Sequence, residues 1–286
     1  MKIIHLSDTH IGRDNNAARF DRLTQSIVTL GNPDDYLIVH TGDLIDKGSE
    51  QERALGAQKL ERLSGLGWRV LLCPGNHDYG NAMHVDPDLA KQFLLTFAVP
   101  IFGEEPPQFP TLHMIGDCAL IGLDSNQGEM GWLTRWFAEG NLGWPQLAAL
   151  STMLDRPDVR EKFVVVYLHH HPFFDAYVAA PDVSDGHYFS HLFNWNTRRF
   201  RRLKDAYSLL QCLRDRVDLL LFGHQHYGFD YSAEGQRYGI RIALDGSSST
   251  CTEMDTDRMR YRIVDTSSGA VTTRFVALTA DLNQAN

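Results

Sequence analysis

Five short clusters gather carboxylates, imidazoles and an amide at spacings suited to metal binding. They are Asp8-Thr9-His10, Gly42-Asp43-Leu44-Ile45-Asp46, Gly75-Asn76-His77-Asp78, His169-His170-His171-Pro172 and Gly223-His224-Gln225-His226. In an extended chain residues two apart point to the same side, so His224 and His226 can face one point. Neutral imidazole is the commonest metal-ligating side chain. Asp8, His10, Asp43, Asn76, one histidine of 169–171, His224 and His226 make seven donors. Seven are too many for one ion that must also leave room for water. They suit two ions sharing a carboxylate, each keeping an open position. Mixed oxygen and nitrogen donors fit manganese, iron, zinc, cobalt or nickel. With no thiolate in the set, a structural zinc site is disfavoured.

Each cluster follows a short apolar run. Strands are predicted at Lys2–Leu6, Tyr36–His40, Arg69–Cys73, Cys118–Leu123, Phe163–Leu168 and Val217–Phe222. They are rich in Val, Ile and Leu with little alternation, as expected when both faces are covered. Helices are predicted near Ala17–Leu30, Ser49–Leu66, Asp86–Phe97, Pro145–Leu154 and Leu203–Arg216, with Asp86-Pro87 reading as a helix start. This rhythm indicates an α/β fold. In open α/β sheets ligands bind beyond the carboxyl ends of the strands, so the five clusters should share one rim. After Tyr227, the runs Arg237–Leu244, Met259–Asp265 and Val271–Leu278 look antiparallel, with Thr266-Ser267-Ser268-Gly269 turning the last pair.

The bulk numbers bound the class. With 286 residues, 43% hydrophobic and 22% charged, the chain is an ordinary globular protein of one large or two small domains. A net charge of −9 argues against a surface built to grip nucleic acid or anionic lipid. Cys73, Cys118, Cys212 and Cys251 are scattered, and the first three sit in apolar runs as buried free thiols. No secretory h-region and no apolar run of membrane-spanning length is present, so a cytoplasmic location is expected.

Taken together, Asp8-x-His10, Gly42-Asp43-x-x-Asp46, Gly75-Asn76-His77-Asp78, a later His and Gly223-His224-x-His226 resemble the calcineurin-like metallophosphoesterase superfamily. The blocks stand in that family's order. The resemblance implies a four-layer α/β/β/α sandwich of two mixed sheets, as a single catalytic domain over 1–280 with a tail at 281–286. It implies that Asp8, His10, Asp43 and His226 hold one metal. Asp43 would bridge, and Asn76, His170 and His224 would complete the second site. His170 is selected because the family's fourth-block histidine stands two residues before a proline. Leu123-Asp124-Ser125, Gly140-Asn141-Leu142-Gly143, Gln146-Leu147 and the Gly-Asn-His around His77 resemble the cyclic-nucleotide and glycerophosphodiester phosphodiesterases.

The expected activity is hydrolysis of a small-molecule phosphodiester by a metal-bridging hydroxide. His77 would aid the leaving group, Asp46 and Asp78 would orient ligands, and Arg13, Asn76 and His77 would touch the phosphate. A phosphomonoesterase is an alternative, since the metal set does not separate the two esters. So is a DNA-processing nuclease, because the first block also resembles that branch, although the acidic charge makes nucleic acid an unexpected partner. A non-catalytic interaction module on the same fold is a more distant reading, disfavoured because no ligand is lost. The stretch 173–202, with its aromatics and Arg198, Arg199, Arg201 and Arg202, is expected to form a lid. The bland alternative for those arginines is a solvated helix face. His5, His40, His84, His113 and His191 are expected to be structural, and His187 lies in the expected lid.

Overall fold

A computed structural model describes residues 1–81, 84–97, 108–126, 139–173, 203–250, 258–267 and 270–279. The expected lid, apart from Phe173, and the expected tail lie outside these residues. Strands β1 (Lys2–Leu6), β2 (Tyr36–His40) and β3 (Val70–Leu72) run parallel. They are joined by α1 (Asn16–Val28) and α2 (Glu50–Gly65). The start of α2 is written locally. Ser49 Oγ accepts the Glu52 N–H, and Glu52 returns its carboxylate to the Ser49 N–H, a capping box. After the short pair β4 (Gly80–Asn81) and β5 (His84–Val85), α3 (Pro87–Phe97) begins at the predicted proline.

A second sheet is built from β6 (Thr111–Ile115), β7 (Cys118–Gly122), β8 (Phe163–Tyr167), β9 (Leu219–Phe222) and β10 (Ile242–Asp245). Its connections contain α4 (Trp144–Leu154), α5 (Pro157–Arg160), α6 (Ala206–Leu213) and α7 (Ser232–Gln236). The chain then returns to the first sheet as the hairpin β11 (Arg258–Asp265) and β12 (Thr272–Thr279). The sheet orders are β12-β11-β1-β2-β3 and β10-β9-β8-β7-β6, both mixed.

The layers follow from which face each residue takes. On β1 and β2, Ile4, Leu6 and Ile38 meet Phe20, Leu23, Leu60 and Phe93 of the helices. Their neighbours Ile3, Leu37 and Val39 turn the other way, against Val165, Tyr167, Leu219 and Leu221 of the second sheet. That sheet's far face, including Val166, Leu220 and Phe222, packs on Leu147, Leu150, Leu209 and Leu213. The fold is therefore the expected α/β/β/α sandwich, and two-sided burial explains the unalternating strands.

Two readings change. Arg237–Leu244 is not an antiparallel strand: only Ile242–Asp245 is extended, and it pairs parallel with β9. The composition of so short a buried strand does not encode its direction. The strand β6 was not anticipated, because Thr111–Ile115 is half-buried at the sheet edge and carries His113 in its centre. Cys73 and Cys118 are buried free thiols, whereas Cys212 is half-buried.

Candidate metal centre

The ends of β1, β2, β3, β8 and β9 do meet, where the two sheets face each other. The backbone there departs from strand geometry. Asp8, Asp43, His10, His224 and His226 have φ of 52°, 53°, 43°, 74° and 60°, the left-handed region that non-glycine residues seldom occupy. Glycines make the approach possible. Gly42 has a φ of 87°, and a Cβ there would lie 2.7 Å from both the Gly75 nitrogen and His169 Nδ1.

Two main groups of donor atoms result, and a third, His10 with Asp46 and His77, overlaps the first at His10. In one, Asp8, His10 and His226 converge, with His226 Nε2 at 3.0 Å from Asp8 Oδ1. In the other, Asp43, His169 and His224 converge. Here His169 Nε2 lies 3.2 Å from Asp43 Oδ2, 3.1 Å from His224 Nδ1 and 3.1 Å from Asn76 Oδ1. Asp43 stands between the groups, since its Oδ2 is also 3.8 Å from His10 Nε2. Its Oδ1 accepts the His77 backbone N–H at 2.8 Å.

The member of the histidine triplet in this group is His169. Its Nδ1 donates to the Thr41 carbonyl at 2.8 Å, which turns Nε2 toward Asp43. His170 instead places Nδ1 2.7 Å from Ser125 Oγ, with its ring 4.5 Å from that of His224. His171 is buried among Phe173, Phe222 and Tyr231. The proline rule expected His170, whereas the donor group brings in His169. Three consecutive histidines carry no sequence signal for which ring faces inward, because that depends on where β8 ends.

The remaining candidates surround these groups. Asp46 Oδ1 is 3.3 Å from His10 Nδ1, and the Asp46 carbonyl accepts from His77 Nδ1 at 2.7 Å. Asp78 accepts the Gly75 and Ile45 N–H groups, tying the loops after β3 and β2 together. Arg13 is half-buried, and its charge helps to hold Asp46 ionised, behind the larger effects of His10 and His77. Beneath Asp8, an unanticipated chain runs from His5 Nε2 to Thr41 Oγ1 at 2.9 Å, then to Ser7 Oγ at 2.8 Å and on to the Asp8 carboxylate. His40 Nε2 lies 3.0 Å from Thr9 Oγ1. Nothing in the spacing of His5, Ser7 or Thr41 announces this network. Only their place on neighbouring strands produces it.

The electrostatics test whether cations fit. Burial opposes charge on Asp8 and Asp43, yet both carboxyls are held below their ordinary range. His226 does this for Asp8, and His169 with His77 does it for Asp43. In return, burial of His169 is outweighed by Asp43 and Asp8, which raise it to about 9; Asp8 likewise raises His226. Buried carboxylates need compensating positive charge. While Nδ1 of buried His10 faces Asp46, its Nε2 makes no hydrogen bond. The donor set therefore suits bound cations.

The chain matches the calcineurin-like phosphoesterase family over residues 1–228. It is 24% identical over 245 residues to a probable cyclic nucleotide phosphodiesterase of Coxiella burnetii, covering 81% of this chain and 78% of the relative. Among solved structures, it resembles the sulfate thiohydrolase SoxB of Thermus thermophilus at a TM-score of 0.50 and 13% identity, covering 98% of this chain and 56% of the other. It also resembles the NAD nucleotidase of Haemophilus influenzae at a TM-score of 0.46 and 12% identity, covering 98% and 50%. The chain spans about half the length of these two solved proteins. At such identities the likeness concerns fold alone. Among the described residues no helix is long and apolar enough to cross a membrane.

Proposed function

The chain belongs to the calcineurin-like phosphoesterase family, and from that premise we propose that it hydrolyses a small-molecule phosphodiester at a two-metal centre. One ion would sit among Asp8, His10, Asp43 and His226, the other among Asp43, Asn76, His169 and His224. The observation that carries this reading is the position of Asp43 Oδ2, 3.2 Å from His169 Nε2 and 3.8 Å from His10 Nε2. A carboxylate facing both donor groups suits a shared ligand. Bound cations of this kind lower the pKa of a coordinated water toward neutrality and offset charge on phosphate oxygens.

The chain's own residues do the rest. The His77 N–H on Oδ1 and the His169 ring near Oδ2 fix the Asp43 carboxylate from two sides. His169 is turned by the Thr41 carbonyl and His10 by Asp46. Such outer partners orient ligands and keep them basic. The His77 ring, held at Nδ1 by the Asp46 carbonyl, would carry a proton to a leaving oxygen through Nε2. Asn76 and Arg13 would contact phosphate oxygens.

The diester preference draws on the Coxiella burnetii relative, whose name is that of a probable cyclic nucleotide phosphodiesterase. A panel of bis- and mono-nitrophenyl phosphates, cyclic nucleotides and glycerophosphodiesters, each assayed with manganese, iron, zinc, cobalt and nickel, tests it. The expected result is turnover of bis-nitrophenyl phosphate and at least one natural diester. Turnover of the monoester alone would replace the diester reading with a phosphomonoesterase.

A further inference from the structure

The left-handed backbone at the candidate ligands raises the question of what holds it. Asp8 and His226 sit beyond the ends of β1 and β9, so their carbonyls leave the sheet ladders. Buried carbonyls need other donors, and such conformations persist only where the surroundings over-determine them. The donors come from a part of the chain with no motif of its own.

The loop after β10, Gly246-Ser247-Ser248-Ser249-Thr250, crosses directly beneath the two ligand loops. Ser248 Oγ donates to the Asp8 carbonyl at 2.8 Å, and Thr250 Oγ1 donates to the Thr9 carbonyl at 2.8 Å. Ser249 exchanges bonds with Ser7: its N–H reaches the Ser7 carbonyl at 2.9 Å, and its Oγ accepts the Ser7 N–H at 3.1 Å. Ser247 Oγ donates to the His226 carbonyl at 3.3 Å. All four hydroxyl-bearing residues are buried. The β11 strand then braces this loop from behind. Arg260 donates Nε to Ser247 Oγ at 2.8 Å and Nη2 to the Tyr227 carbonyl at 2.9 Å. Arg262, itself buried, donates Nη2 to the Gly228 carbonyl at 2.8 Å and to the Asp245 carbonyl at 3.2 Å. Phe275 of β12 lies under both guanidiniums, 4.7 and 4.0 Å from its ring centre.

Carbonyls on both sides of the Asp8–His10–His226 group are therefore held by one segment. None of the bonds just described reaches Asp43, His169 or Asn76. We propose that Ser247, Ser248, Thr250, Arg260 and Arg262 are positioning residues that clamp the backbone at Asp8–Thr9 and His226–Gly228, where Asp8 and His226 are left-handed. The clamp thereby sets divalent-cation affinity at the Asp8–His10–His226 side of the centre, and not at the Asp43–His169 side. This inference rests on the two-metal reading.

The test uses the full chain stripped with chelator and titrated calorimetrically with manganese. Replacing Ser248→Ala and Thr250→Val removes two donors to the β1 loop while changing little volume. The expected result is two binding steps, one weakened roughly tenfold to a hundredfold, the range typical of lost outer-shell partners, and the other unchanged. The conservative pair Ser248→Thr and Thr250→Ser, which keeps both hydroxyls, should bind as the wild type does. Arg260→Lys should fall between the wild type and Arg260→Ala. Unchanged affinity in both steps, or equal weakening of both steps, would overturn the clamp. Weakening by the hydroxyl-keeping pair as large as that by the hydroxyl-free pair would overturn it too. If the alanine–valine pair does not fold, Arg260→Ala is read by the same two steps. Wild-type protein that binds no manganese, or one ion only, would instead refute the two-metal reading on which the clamp depends.

Discussion

His169 Nε2 and Asp43 Oδ2 lie 3.2 Å apart, joining the loop that follows β8 in one sheet to the loop that follows β2 in the other. This contact brings the two sheets' loops to one centre, and it depends on which of three adjacent histidines turns inward.

His169→Ala should therefore lose one of two bound ions and most turnover. His170→Ala should keep both ions, because it stands outside the donor group of Asp43, His169 and His224. Elemental analysis of the purified variants, alongside calorimetric titration, checks this. Loss of an ion in His170→Ala with full retention in His169→Ala would restore the proline-based choice.

A second expectation concerns His77. Its ring hydrogen-bonds to the Asp46 carbonyl, and it is the backbone N–H of the same residue that meets Asp43. His77→Ala keeps that N–H and should keep both ions while losing roughly 10²–10⁴-fold in kcat, the usual cost of a missing general acid. Unchanged turnover in a metal-replete variant removes His77 from the catalytic list. A substrate with a highly acidic leaving group should suffer less than one with a poor leaving group.

A third concerns pH and stability. Asp245 is buried, and burial raises its carboxyl to about 7, with Asp8 adding to the effect and Arg262 opposing it. A carboxyl whose folded pKa lies above its unfolded value binds more protons when folded. Its contribution to stability is then lost as pH rises from about 4 through about 7. Asp245→Asn stays neutral throughout, so the metal-stripped variant should gain stability relative to the wild type across that window. Denaturant unfolding at pH 4, 5.5 and 7.5 measures the difference. A gap that does not change with pH, or that shrinks as pH rises, contradicts the assignment.

Much of the architecture was legible in residue order. The runs Lys2–Leu6, Tyr36–His40 and Phe163–Tyr167 are unmistakable, because a strand covered on both faces must be apolar throughout. Asp86-Pro87 announced the start of α3 by its chemistry alone. The donor clusters at 8–10, 42–46, 75–78 and 223–226 were readable because ligands follow strand ends. What stayed hidden depends on contacts between distant segments. Ser7, Thr41 and Ser248 are ordinary hydroxyls until the fold places them under Asp8. Ile242–Asp245 took its parallel direction from β9, which no local preference records. The choice between His169 and His170 was of the same kind.

The account stands most directly on the number and placement of metal ions. Crystals grown with manganese and measured across its absorption edge should give two anomalous peaks, roughly 3.5–4 Å apart as in other two-metal sites. Asp43 should lie between the peaks, Asp8, His10 and His226 on one side, and Asn76, His169 and His224 on the other. One fully occupied peak, with Asp43 bound to it alone or to neither position, would contradict the two-metal centre.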